Sequence, residues 1–141
     1  MKFWDASAVV PLLVDEPPME SLLDLLDRDP LVIIWWGTPV ECVSALARRE
    51  RERSLTMGDA AAAIDRMRAL GRGWQEVLPS EPVRTTAQRL LRIHPLRAAD
   101  SMQLAAAIVA SEQDSTSIDF VSLDERMNAA AGREGFRLVF G

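Results

Sequence analysis

The sequence predicts a three-layer α/β/α sandwich around a mainly parallel sheet of about four or five strands. Short apolar, strand-like runs alternate with helix-like segments along the chain, and glycine, proline and cap residues punctuate that alternation. One run, Leu31-Val32-Ile33-Ile34-Trp35-Trp36, is apolar without a break, as expected of a strand covered by helices on both faces.

Taken in order, Phe3-Trp4 with the residues before it reads as a first strand ending at Asp5, and Ala8 to Val14 as an apolar helix. Pro17-Pro18 breaks the chain. Met19 to Leu26 then carries Leu22, Leu23, Leu25 and Leu26 at helical spacing. Gly37 ends the Leu31 to Trp36 strand. In Thr38-Pro39-Val40-Glu41 a cap threonine, a first-position proline and a third-position glutamate predict a capping box and a helix to about Arg53. Thr56 with Asp59 opens the next helix in the same manner, and it closes near Gly71 or Gly73. Trp74 to Leu78 is a short strand. Ser80-Glu81-Pro82 caps a helix to Leu91 or Ile93, and His94-Pro95 interrupts it. A further helix runs from about Arg97 to Ala110, with Ala99, Met102, Ala106 and Val109 or their neighbours inward. After the polar loop Glu112 to Ser117 come a strand from Asp119 to Leu123, a helix from Asp124 to Ala131, a turn from Gly132 to Gly135 and a last strand from Phe136 to Phe140.

The 141 residues are 48% hydrophobic and 26% charged, enough for a core and unlike a disordered chain. A single domain over residues 1–141 is expected, burying roughly 70% of its unfolded surface. Cys42 has no thiol partner, and one cysteine with one histidine falls short of a zinc quartet, which suits a reducing cytoplasm. The N-terminus meets Asp5 after two apolar residues, and the stretch Leu104 to Ala110 is far below spanning length, so neither targeting nor membrane anchoring is expected. The net charge of −5 argues against a protein that coats nucleic acid by electrostatics alone. It does not exclude a nuclease, because a carboxylate site reverses its own sign once a cation is bound.

Asp5, Glu41, Asp100 and Asp124 each stand where a strand-like run gives way to a helix, or in that helix's first turn. In an open parallel sheet, ligand sites form beyond the carboxyl ends of the strands, so the four acids are expected at one edge. Asp119, at the start of its strand, belongs at the opposite edge. Singly, each acid also reads as a helix cap or a first-turn acid favoured by the helix dipole. Capping alone does not require them to converge. Carboxylates within ~4 Å repel by about 1 kcal/mol even in water, and a cation relieves that repulsion. An oxygen-only set fits Mg2+ or Mn2+ better than zinc, and such an ion can orient a phosphodiester and activate a water.

Four segments carry these acids: Phe3-Trp4-Asp5-Ala6-Ser7-Ala8, Thr38 to Leu46 around Glu41, Leu96 to Ala105 around Asp100, and Phe120-Val121-Ser122-Leu123-Asp124. In this order and spacing they resemble the PIN-domain family, most closely its VapC-like branch of bacterial toxin ribonucleases. The resemblance implies a Mg2+- or Mn2+-dependent endoribonuclease leaving 5'-phosphate and 3'-hydroxyl ends, with Asp5, Glu41, Asp100 and Asp124 as the acidic set. It makes Asp5 and Asp100 the firmest metal ligands, has Glu41 and Asp124 complete the shell through waters, and gives Ser7 a supporting role. Ser122 stands where the family commonly has threonine and keeps the hydroxyl. An RNA substrate, a small antitoxin protein and a homodimer are also implied.

Two other functions remain open: a PIN-like nuclease acting on DNA or in RNA processing outside a toxin pair, and an inactive PIN-like binding module. Retention of all four acids speaks against the second. Trp35 and Trp36 read as core residues facing opposite layers, with Trp74 balanced between core and interface. The run Arg48 to Arg53 reads first as a solvated helix face, with contact to RNA or antitoxin as the functional alternative. His94 reads as a loop residue and Cys42 as a small core residue. No nucleophile elbow accompanies any serine.

Overall fold

Parallel strands need a crossover between them, and the strand-helix alternation supplies one at every step. In the computed structural model, which describes residues 1–14 and 16–141, β1 (Lys2–Trp4), β2 (Val32–Trp35), β3 (Gln75–Val77), β4 (Asp119–Val121) and β5 (Arg137–Leu138) form one sheet. Their order is β3-β2-β1-β4-β5, and every pairing is parallel.

The period of two along each strand divides the core into two layers. Phe3, Ile33, Trp35 and Phe120 face one side, packed with Val83, Ala87 and Leu90 of α5 (Glu81–Ile93), Leu104 to Ile108 of α6 (Ala98–Ala110) and Met127 of α7 (Glu125–Arg133). Trp4, Val32, Ile34 and Val121 face the other side. They pack against α1 (Ala6–Leu13), α2 (Met19–Arg28), α3 (Thr38–Arg51) and α4 (Met57–Gly71), through Val9, Leu22, Cys42, Leu46 and Met67. Burial on both faces is why these strands read as apolar runs rather than as alternating ones.

The path from β1 runs outward through β2 to β3, then returns to the other flank of β1 for β4 and β5. The switch point therefore lies between β1 and β4, where a crevice opens beyond the strand ends.

Several local expectations are corrected. Thr56 does cap α4, accepting from Asp59 N–H while the Asp59 side chain accepts from Thr56 N–H. Thr38 does not cap α3: Gly37 is the cap residue, no side chain caps it, and Thr38 is buried inside the first turn. Trp35 is core, but Trp36 lies past the end of β2 and is 54% exposed. On α6 the inward face is Leu104 to Ile108 with Ser101 and Gln103, while Ala99 is exposed. His94 does lie outside the helices, between α5 and α6, but not in the open. It is buried as the C-cap of α5, with Nε2 2.8 Å from Glu134 Oε2. α7 also continues through Gly132 to Arg133, and the chain then turns toward β5 at Gly135, whose φ of +96° suits glycine.

Candidate active site

Asp5 follows the last residue of β1, and its N–H still bonds Val121 O at 3.0 Å, which fixes it at the switch point beside β4. It is only 5% exposed. Its Oδ2 accepts hydroxyl protons from Ser7 Oγ at 2.6 Å and Ser122 Oγ at 2.8 Å. Each hydroxyl oxygen in turn accepts a backbone N–H, Ser7 from Leu123 at 2.9 Å and Ser122 from Asp124 at 3.1 Å. Both hydroxyl protons are thereby committed to Asp5, and the 3.1 Å between the two Oγ atoms reflects a shared acceptor rather than a further bond. Asn128 steadies the same turn, donating to Ser122 O at 2.9 Å. Burial raises the Asp5 pKa above the ordinary range; the two hydroxyls oppose that rise, and the charge of Asp124 adds to it.

Glu41 lies one turn into α3, and its Oε2 accepts from Gln103 Nε2 at 2.6 Å. Gln103 is fully buried on α6 and also donates to Thr38 Oγ1 at 3.0 Å, so one carboxamide ties the opening turn of α3 to the opposite helical layer. The Glu41 pKa is pushed up to about 7, first by burial, against the lowering effect of Gln103, with Asp5 and Asp100 raising it further.

Asp100 and Asp124 stand at helix N-termini, as expected of first-turn acids. Asp100 Oδ2 accepts from Arg97 N–H at 3.2 Å, and Asp124 Oδ1 accepts from Arg126 and Met127 N–H at 2.9 and 3.4 Å. All four acids line a single cleft of about 600 Å³ at the carboxyl edge of the sheet. Asp119 sits at the far edge, bonded to Arg137.

A family model for the PIN domain matches residues 2–133. The chain belongs to the PIN domain family. Among solved structures, VapC20 of Mycobacterium tuberculosis, a sarcin-ricin loop cleaving toxin, superposes with a TM-score of 0.71 at 18% identity over 96% of each chain. FitAcB from Neisseria gonorrhoeae gives 0.66 at 18% identity over 98% of this chain and 96% of that one. At such identities the likeness is one of fold. No curated protein matches the sequence.

PIN-family membership raises the question of a divalent ion. Among the described residues, no three acidic, histidine or cysteine side chains are drawn tightly enough together to cage an ion by themselves. Asp100 and Asp124 are each turned to backbone N–H groups of their own helix, and Asp5 and Glu41 to hydroxyl and amide donors. The donor set nevertheless fits a hard ion. It is all oxygen, it lines one cleft, and the charges of Asp5, Glu41, Asp100 and Asp124 act on one another.

Sequence reasoning missed Gln103. Its signal was a lone amide in the apolar run Met102 to Ala110, where a buried polar group needs partners. It also missed that Arg48, Arg49, Arg97 and Arg126 line the acidic cleft.

Proposed function

We propose that residues 1–141 form a single nuclease domain, a Mg2+- or Mn2+-dependent endoribonuclease that acts as the toxin of a toxin-antitoxin pair. The supporting observation is the electrostatic state of the cleft. Burial raises the pKa values of Asp5 and Glu41, Asp124 adding to the rise at Asp5 and Asp5 and Asp100 to that at Glu41, and the side chains that oppose it are hydroxyl and amide donors. Asp5 and Asp100 would hold the ion, with Glu41 and Asp124 completing its shell through waters. Such an ion, when bound, supplies positive charge beside the phosphodiester and a water of lowered pKa.

The chain's own residues have separate tasks. Ser7 and Ser122 fix the Asp5 carboxyl group through Oδ2 and oppose the rise in its pKa that burial causes. Glu41, near neutrality, suits the uptake of the proton released as water attacks phosphorus. Gln103 engages Oε2, which makes Oε1 the receiving atom. As the water oxygen bonds to phosphorus the P–O3' bond breaks, and the departing O3' takes a proton from solvent, leaving a 3'-hydroxyl and a 5'-phosphate.

A single-stranded or looped RNA is the proposed substrate, in keeping with the fold shared with a loop-cleaving toxin. An antitoxin protein, a homodimer and a cytoplasmic location complete the reading. No helix among the described residues is long and apolar enough to cross a membrane.

The test is cleavage of a labelled stem-loop RNA and of the matching DNA by purified protein in Mn2+. Expected is RNA cleavage that stops with EDTA and returns with excess Mn2+. Cleavage indifferent to EDTA removes the metal mechanism, equal cleavage of DNA moves the enzyme out of the ribonuclease class, and tight RNA binding without cleavage makes it a binding module.

A further inference from the structure

Each acid-bearing helix that opens onto the cleft also brings an arginine to it. Arg48 lies two turns beyond Glu41 on the same side of α3, Arg97 is the N-cap residue of α6 before Asp100, and Arg126 follows Asp124 at the start of α7. All three are exposed, and among the described residues none has an ion-pair partner. The contrast with other arginines is informative. Arg49, which also lines the cleft, is paired there with Glu16, and outside it Arg68, Arg84, Arg89 and Arg137 each pair with a nearby carboxylate. In the cleft, Asp5, Glu41, Asp100 and Asp124 are instead turned to backbone, hydroxyl and amide donors. The three guanidinium groups are left beside them facing water.

The layers set their arrangement. α6 and α7 cover one face of the sheet and α3 the other, so Arg97 and Arg126 approach the cleft from one side and Arg48 from the opposite side, with Asp5 beneath the switch point between them. Guanidinium groups match phosphate oxygens, and phosphate contacts position a strand without reading its bases.

We infer that Arg48, Arg97 and Arg126 grip RNA phosphates on both sides of the phosphodiester that lies over Asp5. This rests on the ribonuclease reading and adds to it the register of the strand: Arg97 and Arg126 hold one flank and Arg48 the other. It also accounts for endonucleolytic action, because a scissile phosphate gripped on both flanks is internal to the strand.

The test measures anisotropy of a labelled stem-loop RNA in EDTA across a salt series, together with steady-state cleavage in Mn2+, for wild type, R48Q, R97Q and R126Q. R51Q, from the same arginine run but outside the cleft, is the control. Each cleft variant should bind roughly three- to tenfold more weakly and lose about 0.7 from the slope of log affinity against log salt, the contribution of one single-strand phosphate contact. KM should rise with kcat within about twofold, as for binding shared by ground and transition states. Unchanged slopes in all three variants, or an equal loss in R51Q, overturn the grip while wild-type cleavage keeps the nuclease reading intact. Failure of wild type to bind or cleave RNA overturns both.

Discussion

The two edges of the sheet solve the same electrostatic problem in opposite ways. At the amino edge, Asp29 accepts from Lys2 Nζ at 2.7 Å and from the terminal amine, and its pKa falls to about 2, chiefly through Lys2. Asp119, on the same edge, takes Arg137 through both oxygens at 2.8 and 3.0 Å. At the carboxyl edge, Asp5 and Glu41 receive neutral donors only, and their pKa values rise. Where an acid serves to tie the fold, the chain supplies its cation. At Asp5 and Glu41 in the cleft, the described residues supply hydroxyl and amide donors and no ion-pair partner, as the proposed metal-dependent site would need.

The sharpest way to break this contrast is Asp5→Asn. It keeps an oxygen acceptor for Ser7 and Ser122 but removes the buried charge, so RNA cleavage should fall on the order of 100-fold or more. The metal-free variant should melt at the same temperature as wild type or higher, because a desolvated, repelled charge is gone. Cleavage equal to wild type and insensitive to EDTA would falsify the assignment of Asp5.

Gln103→Leu comes next in size. It removes the donor that orients Glu41 and bonds Thr38, and outer-shell partners of this kind typically govern 10- to 100-fold in metal affinity or activity. Mn2+ binding, read from the free-ion resonance signal, should weaken roughly tenfold, with a stability loss of about 1–3 kcal/mol from the stranded polar groups. A lower melting temperature with Mn2+ affinity held within about twofold reduces Gln103 to a core residue tying α3 to α6.

The pair Thr38-Glu41 and Thr56-Asp59 illustrates what could be read in advance. Both show the same local pattern, yet only the second is a cap, because the side chains of Thr38 and Glu41 are drawn across the sheet edge to Gln103, in a distant part of the sequence. Local spacing carries no record of that contact. The fold was legible because strands buried on both faces leave unbroken apolar runs, and the acids were legible because a parallel sheet puts every strand's end at one edge. The burial of His94 escaped for the same reason as Thr38: the His-Pro pair is a loop, as read, but spacing does not show that Glu134 comes to meet it. Trp36 was misplaced through a shift of one residue at a strand end, where sequence patterns are least sharp.

The smallest effects give the comparison its finest test, because their signs should be opposite. Glu41 has a folded pKa of about 7 against an ordinary 4.5, so between those values the native chain holds more proton than the unfolded one, and stability falls as pH rises through the window. Glu41→Gln should therefore stabilise the metal-free protein at pH 8 by about 1–2 kcal/mol, discounted for the half-open setting, and give no gain near pH 4. Asp29 is depressed from 3.8 to about 2, so its contribution is present above the unfolded value and disappears as pH falls through the folded one. Asp29→Asn should cost about 0.5–1 kcal/mol at pH 7, as for a surface ion pair, and only a small part of that near pH 2. Denaturant melts of both variants across pH decide the matter. If both substitutions destabilise at neutral pH, the carboxyl-edge acids are satisfied by the fold itself, and nothing in their energetics calls for a cation.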